Sequence, residues 1–228
     1  MSTISIYEHR DTAECEANLE NLKETFKYVL FRVIADVKVD FSSLKVFSYR
    51  VLRNGGRRLY EYVMDAEDYF KFIRIYGMDV ILEDELLTPK TAKDLERILP
   101  DGAVIEELPD KITIYAPKEK IGLFIGRNGW KARRLSEIMQ KRVVIKSGYV
   151  LRFNGLIGNK VRVVVEHEGV VIENFILPLH EFAMLANRDG VRVLSRGIGL
   201  GGIVESYLMS EKAYQNARQP DLDCEILL

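Results

Sequence analysis

The chain has little of what builds metal centres, disulfide frameworks and nucleophilic sites. Its two cysteines, Cys15 and Cys224, stand near opposite ends without CxxC spacing, and its three histidines, His9, His167 and His180, make no ligand pattern with them. That argues against a structural zinc site and against a disulfide scaffold. No Ser-His or Cys-His pairing stands out, and Asp36, Asp40, Asp65, Asp68 and Asp84 lack the spacing of a Mg²⁺ site. The expectation is a protein with no catalytic residues, no metal and no cofactor. No apolar run approaches the roughly 20 residues that span a bilayer, and the first residues carry no signal-peptide core, so a cytoplasmic location without membrane association is expected. Prolines number only six, against 47% apolar and 29% charged residues, which disfavours long disordered tails. Only three glutamines, Gln140, Gln215 and Gln219, accompany abundant Lys, Glu, Val and Ile, a lean toward a thermophilic source.

What the chain does have is one concentrated positive segment. Residues 111 to 146, KITIYAPKEKIGLFIGRNGWKARRLSEIMQKRVVIK, hold ten Lys or Arg against Glu119 and Glu137, a net charge of plus eight. The whole chain has 33 basic and 34 acidic residues, so the remainder holds 23 against 32, or minus nine. Charge gathered in this way is the electrostatic footprint of a polyanion site, not of a generally adhesive protein.

A length of 228 residues suggests two or three compact units. In chain order, Asp11 and Thr12 open a helical pattern whose apolar face (Leu19, Leu22, Phe26, Val29, Leu30, Val33) runs to about Asp36. Lys45 to Val63 reads as a hairpin turning at Asn54-Gly55-Gly56, with Arg50, Arg53, Arg57 and Arg58 at its tip; they suit either a solvated loop or a phosphate contact. A helix from Ala66 to Tyr76 and a strand from Val80 to Leu82 follow, then an acidic link, Glu83 to Glu85. A helix from Thr91 to Leu99 and strands at Ala103 to Glu107 and Lys111 to Tyr115 precede the tetrad Gly126-Arg127-Asn128-Gly129. Helical patterns flank the tetrad, and Val143-Val144-Ile145 closes the basic segment as a strand.

Beyond it, Lys160 to Leu177 forms a second hairpin turning at His167-Glu168-Gly169, followed by a helix from Leu179 to Asn187 and a strand from Val191 to Leu194. This order resembles that of residues 45 to 82, a hint of a duplicated module or simply a common arrangement. Gly197, Gly199, Gly201 and Gly202 make a turn before a helical pattern from Ile203 to Ala217; they match neither a dinucleotide fingerprint nor a P-loop.

Gly126 and Gly129 place no β-carbon between backbone and ligand, and a helix starting near Trp130 aims its free N–H groups and positive dipole end at the same place. Leu135, Ile138 and Met139 share the face that packs on the strands, leaving Lys131, Arg133 and Arg134 mainly outward.

The stretch IGLFIGRNGWKARRLSEIMQKRVVI resembles a KH domain, with GRNG as the GxxG loop, and is especially similar to the KH domains of NusA-type transcription factors. The resemblance covers about residues 88 to 147 and implies the type II order, α-β-β-α-α-β. The fold class expected is therefore α+β: an N-terminal module (1–87), a central type II KH domain (88–147) and a C-terminal module (148–228), each flanking module a hairpin plus helix. KH domains hold about four nucleotides of single strand. By position, Gly126, Arg127, Asn128 and Gly129 would grip the backbone, Leu123, Ile125, Val143, Val144 and Ile145 would form the groove and its reading edge, and Lys131, Arg134 and Arg142 would flank the path. Trp130 stands where a smaller residue is usual and would either stack on a base or pack against a neighbouring domain; Gln140 replaces the usual glycine before the last strand. The resemblance implies a non-catalytic protein binding single-stranded RNA, with single-stranded DNA as an alternative ligand and RNA polymerase or the ribosome as the larger partner. A rival reading is a protein-interaction adaptor in a ribonucleoprotein complex, built on a degenerate KH fold. No S1-like barrel pattern accompanies the resemblance.

Overall fold

A computed structural model describes residues 24–199, 202–217 and 225–226. The fold is mixed α+β, and the chain divides into two compact units, Met1–Pro89 and Lys90–Leu228.

The first unit is a four-stranded antiparallel sheet of order β2-β3-β1-β4, with strands β1 (Leu30–Ala35), β2 (Ser48–Asn54), β3 (Arg57–Asp65) and β4 (Ile81–Leu87). The helix expected from Asp11 to about Asp36 lies outside the described residues as far as residue 23; Glu24 and Thr25 are helical, and Leu30–Ala35 is a strand instead. Its burial explains the misreading. A central strand enclosed on both faces reads as a continuous apolar run, and Leu30, Val33 and Ala35 are fully enclosed. The acidic link at Glu83 to Glu85 is likewise a strand. Arg32 of β1 reaches both Glu83 (3.2 Å) and Glu85 (3.5 Å), two acids that strand alternation puts on one face. Helix α1 (Ala66–Tyr76) starts where Asp65 accepts from the Asp68 N–H and stops at Gly77, whose φ of 87° ends the helix. It packs Tyr69 and Phe72 against Phe31, Val33 and Tyr62 of the sheet, with the Phe31 and Tyr69 rings stacked at 4.1 Å.

The second unit begins with α2 (Ala92–Ile98), capped reciprocally by Thr91 and Asp94. Strands β5 (Val104–Glu107), β6 (Lys111–Ala116) and β7 (Arg142–Ser147) form a three-stranded sheet in that order, β5 antiparallel and β7 parallel to β6. Between β6 and β7 run α3 (Ile121–Ile125), a short 3₁₀ turn (Arg127–Gly129) and α4 (Trp130–Met139). A parallel pair needs such a crossover.

The chain then passes Gly148 into a six-stranded antiparallel sheet of order β11-β12-β8-β9-β10-β13, formed by β8 (Tyr149–Ile157), β9 (Lys160–His167), β10 (Val170–Pro178), β11 (Val191–Gly199), β12 (Gly202–Met209) and β13 (Glu225–Ile226), with helices α5 (Leu179–Ala186) and α6 (Glu211–Ala217). The hairpin at 160–178 and the helix are as read from the sequence; the strand read as Val191 to Leu194 continues to Gly199, so Gly197 and Gly199, read as part of a turn, pair in the ladder with Val204 and Gly202. The helical pattern from Ile203 is not realised: β12 occupies 202–209, and only then does Ser210 accept the Ala213 N–H and start α6. Gly199 pairs with Gly202 across a hairpin whose tip is outside the described residues. The two hairpin-plus-helix segments sit in different sheet orders, since β4 pairs with β1 whereas β11 pairs with β12.

The three-stranded and six-stranded sheets share a core. Val104 and Tyr115 pack with Val150 and Leu208. Gly148 allows that junction, because a β-carbon there would lie 2.7 Å from Leu208 Cδ1 and 2.9 Å from the Met209 carbonyl oxygen.

Candidate functional site

The tetrad folds as a tight, left-handed kink between α3 and α4. Gly126 has φ 71° and ψ 168°, a conformation essentially confined to glycine, while Asn128 (φ 55°) and Gly129 (φ 73°) lie in the left-handed region. Asparagine is among the few side chains that tolerate it. The Gly126 N–H closes α3 on the Gly122 carbonyl, and the Gly129 N–H returns to the Gly126 carbonyl at 3.1 Å. No side chain caps the N-terminus of α4 and no acidic residue occupies its first turn, so the positive end of the helix is not offset locally.

The basic side chains divide by role. Arg127 and Arg142 are exposed and, among the described residues, make no ion pair. Arg133 is exposed and donates from Nη1 to the Asn128 carbonyl at 2.7 Å, bracing the loop from one helical turn away. Arg134 is half-buried and paired with Glu137 at 3.1 Å. Lys131 is half-buried too, donating from Nζ to the Leu123 carbonyl at 2.7 Å, so it ties α4 to α3 instead of pointing outward. Burial pulls its ammonium down from the usual lysine range to about 8. Elsewhere in the basic segment, Lys141 is engaged by Glu107 and Lys146 by Glu211. The sequence reading placed Arg133 outward but left it out of the residues assigned to the loop. Its signal was available: it lies four residues after Gly129, and i,i+4 positions share a helix face.

Trp130 folds back over the loop. A β-carbon on Gly126 would stand 2.6 Å from its Nε1, and the Lys131 Nζ lies 5.7 Å from the ring centroid. The ring is half-buried against the tetrad itself.

The apolar residues are also sorted. Phe124 is fully buried and anchors α3, while Leu123 on the same helix is exposed and Ile125 is half-buried. On β7, Val143 is buried; Val144 and Ile145 are half-buried. β7 is the sheet edge, but its outer edge is partly used, because the Val143 N–H donates to Ser136 Oγ at 3.0 Å. Strand alternation leaves Ile145 as the next residue whose N–H and C=O face outward. Leu135, Ile138 and Met139 are buried on the strand side of α4 as the periodicity predicts.

Gln140 ends α4 in the left-handed conformation (φ 52°), the position where glycine is the unstrained choice. Gln140→Gly is expected to raise stability by about 1 kcal/mol, read as a higher urea midpoint at unchanged m-value.

The aspartates considered for metal binding are dispersed. Asp65 caps α1, buried Asp68 accepts the Lys45 N–H, Asp40 accepts from Ser42 and Asp84 accepts from the Tyr69 hydroxyl. Among the described residues no group of three or more His, Cys, Asp or Glu side chains gathers as a metal site would. Among them, too, no helix is long and apolar enough to cross a membrane. No family model, curated protein or solved structure matches this chain.

Proposed function

We propose that this chain is a non-catalytic, KH-type binder of single-stranded RNA that grips the sugar-phosphate backbone at Gly126-Arg127-Asn128-Gly129. The observation that carries the reading is the tetrad's geometry: two glycines and an asparagine at positive φ, between two helices, facing an uncapped helix start with Arg127 and Arg133 beside it. Such a loop offers backbone N–H groups, a dipole end and guanidinium forks to a phosphate at close range. The element order of residues 92–147, helix, strand, strand, helix, helix, strand, with β7 parallel to β6, supports the same reading. Exposed Leu123, half-buried Ile125 and the outer edge at Ile145 offer a path for bases next to the loop. The resemblance to NusA-type factors favours a transcript near RNA polymerase or the ribosome as the setting, and a cytoplasmic location.

The test is binding of labelled single-stranded RNA and DNA to the intact protein and to the Arg127→Asp, Asn128→Asp variant across a salt series. The expected result is an affinity that falls with salt in the wild type and collapses in the variant, with RNA preferred. Equal, weak binding by both proteins would overturn the reading in favour of a protein-interaction scaffold.

The position of Lys131 adds a pH dependence. A bound phosphate favours its protonated form, and the protonated fraction in the free protein falls as pH rises through about 8. Affinity at fixed ionic strength is therefore expected to weaken between about pH 7 and pH 9, and Lys131→Arg, which keeps its charge throughout that range, to flatten the profile.

A further inference from the structure

The first unit carries a second surface with the chemistry of a single-strand contact. On the β2–β3 hairpin the register pairs Tyr49 with Tyr62, Val51 with Tyr60 and Arg53 with Arg58, so alternation places all six on one face. At the root of this face Tyr62 is fully buried, its hydroxyl donating to the Val37 carbonyl and accepting from the Val39 N–H. Outward from it the rings continue. Tyr60 lies 6.4 Å from Tyr62 at 16°, and Tyr49 lies 6.3 Å from Tyr60 at 13° and 5.8 Å from Tyr62 at 22°, so the three nearly parallel rings form a compact triangle. Phe41 adds an edge at 5.2 Å from Tyr49. Tyr49 is 36% exposed, Phe41 44% and Val51 46%, so this side of the cluster is open to solvent, with Tyr60 half-buried beside it.

Charge completes it. Arg53 and Arg58 stand directly opposite each other, a like-charge pair that is unfavourable on its own. Both are exposed, and among the described residues neither has an acidic partner. The contrast lies on the other face of the same hairpin, where Arg50 is held at 2.9 Å by buried Glu61. Two arginines directly opposite each other without a counter-charge, on the face that also carries exposed Tyr49 and half-buried Tyr60, fit a ligand with alternating phosphates and flat bases.

We propose that this hairpin face is a second contact for single-stranded nucleic acid, with bases stacking on Tyr49 and Tyr60 and phosphates held by Arg53 and Arg58. It stands independently of the tetrad.

The experiment uses the full chain in the Arg127→Asp, Asn128→Asp background, with fluorescein-labelled 20-nucleotide oligouridine and oligothymidine read by anisotropy over a salt series, and thermal melts to confirm folding. Residual binding is expected. Arg53→Gln with Arg58→Gln should weaken it and lower the salt slope by about 1.4. Tyr49→Ala should cost roughly tenfold, whereas Tyr49→Phe, which keeps the ring, should bind as the parent does. Absence of residual binding, or residual binding indifferent to the arginine and tyrosine substitutions, would overturn the proposal. Wild-type binding that responds to the hairpin variants but not to the tetrad variant would support it and instead overturn the tetrad reading.

Discussion

Gly126→Ala is expected to cost about 3 kcal/mol of stability and to remove nucleic-acid binding at the loop. Two independent penalties meet there. The backbone conformation, φ 71° with ψ 168°, is one that a side chain resists, and the added methyl would lie 2.6 Å and 2.8 Å from Nε1 and Cδ1 of Trp130 and 2.9 Å from Cγ of Lys131. Relief requires Trp130 to leave the loop and Lys131 to give up the Leu123 carbonyl, which breaks the tie between α3 and α4. Trp130 is the only tryptophan in the chain, so its emission reports this event directly. A variant with wild-type emission and wild-type urea midpoint would show that the loop relaxes at no cost. Gly122→Ala is the matching control, since nothing lies within 4 Å of a β-carbon there.

The second large effect separates two adjacent residues of α3. This helix has five residues, too few to persist without tertiary contacts, and Phe124 is its one buried side chain. Phe124→Ala should destabilise the second unit by about 3–5 kcal/mol and free α3, so that binding at the tetrad is lost with it. Leu123→Ala, at a side chain 55% exposed, should leave the urea midpoint within about 0.5 kcal/mol of wild type while weakening nucleic-acid binding. If the two variants changed stability equally, the division of α3 into an anchor and a ligand face would be wrong.

Both predictions rest on features that the sequence shows unevenly. Hairpins announced by Asn54-Gly55-Gly56 and His167-Glu168-Gly169 were legible because turn chemistry is local. The helices next to them were legible from capping and periodicity. Where the reading failed, tertiary structure had overruled the pattern. β1 is apolar at every position but Arg32 because it is enclosed on both sides; β12 carries Ile203, Val204, Tyr207 and Leu208 at spacings that also fit a helix and runs on into a real one. β8 went unread because its ladder shifts register between Phe153 and Leu156, where Gly155 takes φ 107°, so strict alternation is broken. At the tetrad, the glycines and the charge were visible in one dimension. What was not visible was which cation faces out, because Lys131, Arg133 and Arg134 are equivalent as letters and differ only in the carbonyl or carboxylate each one meets.

The core shared by Val104, Tyr115, Val150 and Leu208 makes the basic segment a poor cassette. Cutting after residue 147 would strip Tyr115 and Val104 of their cover, detach Gly148 from the Ala116 carbonyl and leave Arg192 no longer holding the Ala103 carbonyl. A fragment ending there would expose an apolar sheet face and misreport the properties of the loop it was meant to isolate. Transplanting the tetrad into another protein, or dissecting it from this one, therefore means taking the six-stranded sheet along.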